Sequence, residues 1–325
     1  MARFDPFQPA RISSLEVPNH FVRSATYMGL ADDDGAPTER TQQIWVGLAR
    51  GGVGTIITSY THIAGYEQPR PRQLGIHNDA LIDAYRPVVR AVHGVGAKIV
   101  MQIVHGSSWG QADPAHARIF GPSPLPHPDS GLVPQEMTVQ DIQDVVALFA
   151  QAARRVKAAG FDGVQIHSAH DYLLSQFISP LCNKRMDAYG GSVQNRFRFL
   201  GQVYDAVRTE VGDFPVWVKI NSSDEQPGGL MEDDFLYMAG RLAERGIDAV
   251  EVSGNRWSSH PTGDSRYYFE AARRLAERTD VPVILTGGLR TRADVDYVVA
   301  HSRIRFFGFA RPLLKDPAFV QTLRC

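Results

Sequence analysis

The sequence predicts an α/β fold, a single-domain (β/α)8 TIM barrel that occupies residues 1–325. Three observations predict it: eight short apolar runs, helix-like stretches between them, and 325 residues without a linker-like change in composition. Eight strands that alternate with helices over this length are typical of the barrel. Hydrophobic residues make up 43% of the chain, which argues for a large core and against disorder.

The eight apolar runs are predicted to be the barrel strands. Several are rich in β-branched residues and apolar on both faces, as strands of a parallel sheet covered by helices are. In chain order the runs are Phe21–Ala25, Gly54–Ser59, Lys98–Gln102, Gly163–His167, Val216–Ile220, Ala249–Val252, Val283–Thr286 and Ile304–Gly308.

Helices are predicted from their caps and from the spacing of apolar residues. Thr138 and Asp141 have the spacing of a capping box, and the apolar residues that follow recur on one helical face until Gly160 offers a left-handed stop. Two more helices are predicted over residues 195–211 and 233–245. Each of these two follows a predicted strand, as the barrel requires.

The segment between Gly106 and Pro134 interrupts this alternation. It contains six prolines, which prevent a regular helix. Long loops within compact domains are usually functional. We therefore expect a loop or hairpin excursion over the barrel mouth after the third strand.

Composition excludes several classes of protein. The chain has 34 basic and 35 acidic residues, so no basic stripe for nucleic acid is expected. The two cysteines are too few for a disulfide scaffold or a thiolate-bound cluster. No apolar run approaches the ~20 residues of a membrane helix, and no signal-peptide pattern is present. We expect a cytoplasmic enzyme with a small-molecule substrate and no nucleic-acid or membrane partner, while a homo-oligomer remains open.

Glycines and an arginine follow the last two predicted strands. Gly287 and Gly288 follow the seventh strand, and Ala310 and Arg311 follow the eighth. Backbone N–H groups in glycine turns can approach an anion, and this fold often binds phosphate there. Two tight turns with a surface arginine are the alternative. With Arg311 at the matching place, the pattern favours phosphate binding.

Two polar residues end interior strands. Lys219 ends the fifth strand among apolar neighbours, where it could neutralise an anionic ring or form a Schiff base; the alternative is a lysine that extends to solvent. Gln102 ends the third strand and offers a donor and an acceptor, which suits the edge of a pyrimidine-like ring. A glutamine satisfied by backbone groups is the alternative.

Two imidazoles and a phenol lie at the end of the fourth strand: His167 ends it, and His170 and Tyr172 follow shortly after. Paired histidines can donate hydrogen bonds to a carbonyl oxygen that gains negative charge, and a tyrosine can donate a proton to a carbanion-like carbon. Zinc ligation is a rival interpretation, but it needs a third ligand, and no HExxH pattern or carboxylate cluster accompanies the pair. Two histidines with a purely structural role are the remaining alternative. We expect no metal.

The most specific motif in the sequence is Tyr189-Gly-Gly-Ser192 followed by Asn195-Arg-Phe-Arg-Phe199. Further motifs are residues 51–54, residues 98–102, the constellation of His167, His170 and Tyr172, residues 179–185, and residues 313–317. Together, over about residues 18–317, they resemble the Old Yellow Enzyme family of FMN-dependent ene reductases (NADH:flavin oxidoreductases), and the first is similar to the YGGSxxNRxRF signature of that family.

The resemblance implies one noncovalent FMN at the barrel mouth. By position, Ala25, Thr26 and Tyr60 would line the isoalloxazine, Gln102 would bind its pyrimidine edge, Lys219 would face N1/O2, and Gly287, Gly288, Ala310 and Arg311 would hold the phosphate. The family usually has arginine at the position of Lys219.

The resemblance also implies a ping-pong reaction. NADH or NADPH reduces FMN and leaves, and an activated alkene such as an enone or enal then receives hydride through flavin N5. His167 and His170 would bind the substrate oxygen, and Tyr172 or water would protonate the α-carbon. The sequence leaves open the substrate, the choice between NADH and NADPH, and the direction of the reaction.

Four further positions depart from the family pattern. Tyr27, a predicted substrate-binding residue, replaces a usual threonine or cysteine, and Tyr60 stands where a small residue is common. Asp171 and Ala310 replace usual glycines. The two tyrosines would narrow the pocket.

Two other activities remain as hypotheses. A related FMN barrel could oxidise an amine, with Tyr27, Tyr60, Trp257, Tyr267 and Tyr268 as an aromatic cage. In a different class, Lys219 could form a Schiff base in a lyase or isomerase. A flavin-binding protein without catalysis is the least favoured interpretation.

Overall fold

Eight parallel strands close into a barrel in the computed structural model, which describes residues 4–254 and 265–324. The strands of these residues are β1 (Ala10–Ile12), β2 (Leu15–Val17), β3 (Phe21–Arg23), β4 (Thr55–Ile57), β5 (Thr61–His62), β6 (Lys98–Val104), β7 (Phe120–Gly121), β8 (Gln135–Glu136), β9 (Gly163–Ser168), β10 (Val216–Asn221), β11 (Ala249–Ser253), β12 (Val283–Thr286) and β13 (Phe306–Phe309). The barrel runs β3–β4–β6–β9–β10–β11–β12–β13 and closes through the pairing of β13 with β3. The predicted (β/α)8 barrel is confirmed.

The strand bounds differ from the predicted runs by a few residues. The first barrel strand ends at Arg23, so Ala25 and Thr26 lie in the loop that follows it. The third extends to Val104 rather than stopping at Gln102. The last begins at Phe306, because the amide of Ile304 donates to Ser302 Oγ instead of to a neighbouring strand.

An N-terminal hairpin, β1 with β2, was not predicted from the sequence. Its two strands pair antiparallel, and its side chains Ile12, Leu15 and Val17 are buried. They form one apolar cluster with barrel residues that include Trp217 and Phe306. The strands are only three residues long, so their alternation is too short to stand out in the sequence.

Helices follow most barrel strands and cover the outside of the sheet. They are α1 (Glu39–Arg50), α2 (Ala80–His93), α3 (Val139–Ala158), α4 (Leu173–Ile178), α5 (Val193–Val211), α6 (Glu232–Glu244), α7 (Phe269–Arg278), α8 (Arg292–His301), α9 (Arg311–Lys315) and α10 (Phe319–Thr322). Thr138 and Asp141 form the predicted capping box of α3. Gly160 follows that helix at φ +90°, the predicted left-handed stop. No described helix is both long and apolar enough to cross a membrane.

The proline-rich segment 106–134 contains β7, and the two short strands β7 and β8 pair in parallel, so they are not a hairpin. The segment packs against residues that follow β9. Ser107 Oγ lies 2.7 Å from Gln176 Oε1, and the ring of Trp109 lies 6.1 Å from that of Tyr172. These contacts bring the segment to the end of the barrel where the parallel strands terminate.

Candidate active site

Three polar residues lie side by side inside the barrel because their strands are in register. Lys219 on β10 is paired with His167 on β9 and with Glu251 on β11. All three are buried, and Glu251 has no exposed surface. Charged groups at such depth are stable only with partners.

Glu251 is the partner of Lys219, and the sequence did not single it out. Lys219 Nζ lies 3.1 Å from Glu251 Oε1 and donates to Ser24 Oγ at 2.8 Å. Ser24 and Thr286 both donate their hydroxyl protons to the same carboxylate oxygen, at 2.5 and 2.8 Å. A lone carboxylate within the apolar run Ala249–Val252 was the available signal.

The second carboxylate oxygen of Glu251 begins a chain of amides. Gln165 Nε2 donates to it at 2.8 Å, and Gln102 Nε2 donates to Gln165 Oε1 at 2.7 Å. Gln102 Oε1 is buried and has no hydrogen-bond partner. Gln102, a predicted site residue, is therefore the last member of this hydrogen-bonded series, and its Oε1 remains without a donor.

The carboxyl group of Glu251 is ionised despite its burial. Burial alone would raise the pKa of Glu251, but the charge of Lys219 and the hydrogen bonds from Ser24, Gln165 and Thr286 together outweigh it and hold the pKa below its usual value. The pair is thus an ammonium and a carboxylate. Lys219 is held by this carboxylate rather than extended to solvent.

The rings of His167 and His170 pack edge to face, with centroids 5.2 Å apart. His170 and Asp171 both have positive φ, at 61° and 62°, and the amide of His170 donates to Asn221 Oδ1 at 3.2 Å. Two consecutive non-glycine residues in this region are strained, and this amide–carboxamide hydrogen bond helps to hold the turn. The left-handed conformation of Asp171 is one that glycine would adopt without strain.

Both imidazoles are neutral. Burial lowers the pKa of His167 well below its usual value, and His170 and Lys219 lower it further. Burial and then Lys219 lower the pKa of His170 in the same way. His170 Nε2 lies 2.9 Å from Ser253 Oγ, whereas His167 Nδ1 is buried without a partner. Within the described ranges, no group of three His, Cys, Asp or Glu side chains could hold a metal ion.

Tyrosine rings form a wall beside the histidines. The ring of Tyr172 lies 5.0 Å from His167 and 5.1 Å from Tyr60, and Tyr60 stacks on Tyr27 at 5.7 Å. Burial raises the pKa of Tyr60 to about 12 and that of Tyr172 well above its usual value. The phenol of Tyr172 is therefore protonated at neutral pH and able to donate.

The predicted residues at the ends of the first, seventh and eighth strands also lie at this end of the barrel. Ala25 and Thr26 are partly buried in the loop after β3, with Thr26 Oγ1 donating to Ser24 O at 3.1 Å. Gly287 and Gly288 follow β12 at φ +123° and +75°. Ala310 and Arg311 follow β13 directly.

A second arginine, which the sequence did not single out, joins the glycine turn. Arg290 Nη2 and Arg311 Nη2 both donate to Tyr267 Oη, at 2.6 and 3.4 Å. Two guanidinium groups close to a glycine turn suit a phosphate. Trp257, expected in an aromatic cage with Tyr267, lies outside the described residues.

Comparison with known proteins identifies the class of this barrel. The sequence profile of the NADH:flavin oxidoreductase / NADH oxidase family matches residues 5–325. NADPH dehydrogenase of Geobacillus sp. (strain WCH70) is 36% identical over 318 residues, which cover 96% of this chain and 91% of that protein. The structure of morphinone reductase in complex with tetrahydroNAD is 27% identical with a TM-score of 0.83, covering 99% of this chain and 91% of the other. The structure of the old yellow enzyme homologue from Zymomonas mobilis is 25% identical with a TM-score of 0.84, and the match covers 97% of this chain and 91% of the other.

The barrel is thus that of an FMN-dependent NAD(P)H oxidoreductase. The chain belongs to the NADH:flavin oxidoreductase / NADH oxidase family, to which the Old Yellow Enzyme motifs of the sequence pointed. FMN and NADH or NADPH are its cofactors.

The residues present fit FMN. Gln102 Oε1 and His167 Nδ1 are buried polar atoms without partners inside the barrel, which an oxygen- and nitrogen-rich ligand would satisfy. The guanidinium pair of Arg290 and Arg311 lies near the glycine turn, where an anionic tail would be held.

Proposed function

We propose that the protein reduces activated C=C bonds of enone or enal type at the expense of NAD(P)H. The balanced reaction consumes one NAD(P)H, one proton and one alkene, and it yields NAD(P)⁺ and the saturated carbonyl compound. When bound, FMN would supply the hydride transfer from the nicotinamide to the β-carbon. The observation that carries the proposal is the close pair of neutral histidines with protonated Tyr172 beside it.

The histidine pair binds the substrate carbonyl in this proposal. Neutral imidazoles are donors that need no charge of their own, so they stabilise negative charge that develops on the oxygen during the reaction. The left-handed turn at His170 and the hydrogen bond from its amide to Asn221 set the direction of that ring. Tyr172 donates its proton to the α-carbon and regains one from water.

The cofactor contacts are proposed from position. Residues 1–325 act as one FMN-binding domain, with FMN held by Ala25, Thr26, Tyr60, Gln102, Lys219, Gly287, Gly288, Ala310 and Arg311. Tyr27, stacked on Tyr60, lines the substrate side. Lys219 acts as half of an ion pair, since Glu251 neutralises most of its charge.

The structure does not favour a Schiff base at Lys219. A Schiff-base lysine must be neutral to attack a carbonyl, and the carboxylate 3.1 Å away stabilises the ammonium form. Membership of a flavin oxidoreductase family also leaves the lyase without support.

Anaerobic absorption spectra of the FMN-loaded protein test the proposal. NADPH or NADH should bleach the flavin bands, and 2-cyclohexenone added afterwards should restore them with formation of cyclohexanone. Bleaching that no enone or enal reverses, while oxygen does, would reject alkene reduction and leave only the NAD(P)H oxidoreductase activity.

A further inference from the structure

Arg70 lies in a turn between β5 and α2 that the site residues themselves hold in place. Tyr27 Oη donates to Pro71 O at 2.5 Å, and Gln73 Nε2 donates to Tyr60 O at 3.2 Å. The amide of Ala112, in the proline-rich segment, donates to Gln68 O at 2.7 Å. The position of the turn is therefore fixed relative to both Tyr27 and Tyr60.

The side chain of Arg70 is oriented by the proline-rich segment. Its guanidinium carbon lies 5.2 Å from the centroid of the Trp109 ring. It also packs against Gly110, where an added Cβ would lie 3.6 Å from Arg70 Nε. Trp109 is itself braced by the ring of His127 at 4.5 Å. Stacking on a braced indole restricts the guanidinium to a narrow range of directions.

These contacts place Arg70 at the edge of the tyrosine wall. Trp109 lies 6.1 Å from Tyr172, whose ring is 5.0 Å from His167. The charge of Arg70 acts on both Tyr60 and Tyr172 and lowers their pKa values, against the larger effect of burial. The guanidinium thus borders the space in which the substrate is proposed to bind.

Arg70 makes no ion pair with a carboxylate anywhere in residues 4–254 and 265–324. Two other cations are paired with carboxylates: Lys219 lies 3.1 Å from Glu251, and Arg118, which stacks on Phe120, lies 3.8 Å from Asp141. A half-buried guanidinium that is held in one direction and has no carboxylate partner in the described protein is suited to bind a carboxylate of a ligand.

We propose that Arg70 binds a carboxylate of the substrate, so that the preferred substrates are anionic, carboxylate-bearing activated alkenes. This inference rests on the proposed function, because the carbonyl next to the C=C bond is taken to lie on His167 and His170. The carboxylate then lies at the other end of the molecule, and Tyr60, Tyr172 and Trp109 contact the apolar part between. A cationic amine is disfavoured at this mouth, since the guanidinium repels it.

A matched pair of substrates tests Arg70. The FMN-loaded protein is assayed with 4-(4-carboxyphenyl)but-3-en-2-one and with its methyl ester, which differ in one negative charge. The variants are Arg70→Gln, Arg70→Lys and, as the control, Arg118→Gln, which removes another ring-stacked arginine, within the proline-rich segment. The rates of FMN reduction by NADH and by NADPH are measured separately for each variant.

We expect Arg70→Gln to lower kcat/KM for the acid by about tenfold or more and to change that for the ester by less than about twofold. Arg70→Lys should retain part of the preference for the acid, and Arg118→Gln should retain all of it. An equal loss for acid and ester, or a wild-type preference for the ester, overturns the proposal. A loss confined to reduction by NADPH would assign the anion to the phosphate of the electron donor and would equally overturn it.

Binding separates failure of this inference from failure of the proposed function. If neither enone is reduced, alkene reduction is wrong, but calorimetric titration of the holoenzyme with the acid still tests Arg70. A dissociation constant raised about tenfold in Arg70→Gln and unchanged in Arg118→Gln supports carboxylate binding. Equal affinity in all three proteins rejects it.

Discussion

Lys219 and Glu251 form a buried ion pair inside this barrel. The desolvation cost of each charge is large, and it is offset by the partner charge and by hydrogen bonds from Ser24, Thr286 and Gln165. Such a pair contributes little net stability, yet loss of one partner leaves the other charged and buried.

The variant Glu251→Gln should destabilise the FMN-free protein by about 3–5 kcal/mol, because it leaves the ammonium of Lys219 buried without its carboxylate. Urea unfolding followed by circular dichroism measures the change. Lys219→Met combined with Glu251→Gln is the control, and it should cost less than the sum of the two single changes. Strict additivity would show that the two groups do not interact.

Tyr172 is the residue whose role in the reaction is most sharply testable. Tyr172→Phe removes the acidic proton and keeps the ring that packs against Tyr60 and Trp109. We expect alkene reduction to slow by about 10²–10⁴-fold, while FMN reduction by NAD(P)H is nearly unchanged. Stopped-flow measurement of the two half-reactions separates them, and an unchanged alkene step would assign the proton to water.

At the scale of elements, the capping box of α3 is a local feature that the sequence predicted and the structure contains. Thr138 Oγ1 accepts from the amide of Asp141 at 3.1 Å, and Asp141 Oδ2 accepts from the amide of Thr138 at 2.9 Å. This helix leads into β9, the strand that carries His167. The cap at the start of α3 thus helps to set the direction of β9.

Thr138→Ala should cost about 1 kcal/mol of unfolding free energy, since the amide of Asp141 at the start of α3 loses its side-chain acceptor. Thr209→Ala, an exposed threonine within α5, is the matched control and should change stability by less than about 0.5 kcal/mol. Chemical denaturation of the three proteins gives the comparison. Equal costs at the two positions would mean that the cap does not stabilise the helix.

At the scale of the whole molecule, the buried histidines make the unfolding free energy depend on pH. Burial lowers the pKa of His62 to about 4 and of His105 to about 3, and it lowers those of His167 and His170 well below 6.5. Below pH 6.5 the unfolded chain therefore binds more protons than the folded chain does. The unfolding free energy has its full value above that pH and decreases as the pH falls toward the pKa values of the folded state. Glu67, whose pKa burial raises to about 8, acts in the opposite sense between about pH 4.5 and 8, and burial also raises the pKa of Asp224, but these two carboxyl groups are fewer than the four histidines.

We expect the unfolding free energy of the FMN-free protein to fall by at least about 2 kcal/mol from pH 7 to pH 5, the contribution of one such histidine. Urea titrations at the two pH values measure it. His167→Asn should reduce the fall, because one neutral buried imidazole is removed. Equal or greater stability at pH 5 would contradict the neutral state of these rings.

The barrel, its order of strands and several candidate site residues could be predicted from the sequence because they depend on local patterns. Apolar runs, caps and glycine turns recur at spacings that one strand or helix sets by itself, and the positions of His167, His170 and Tyr172 follow from where β9 ends. The YGGS and NRFRF motifs were enough to indicate the family. The three-residue hairpin of β1 and β2 was missed because so short a pattern is indistinguishable from chance.

Only the tertiary structure determines which residues that are far apart in the sequence are in contact. Glu251 joins Lys219 because β10 and β11 are in register, and Arg70 reaches Trp109 because two separate loops hydrogen-bond to each other. Burial, charge balance and the left-handed turn at His170 likewise depend on neighbours tens of residues away in the chain. Spacing along a sequence specifies the elements, whereas the register between strands and the contacts between loops arise only when the barrel closes.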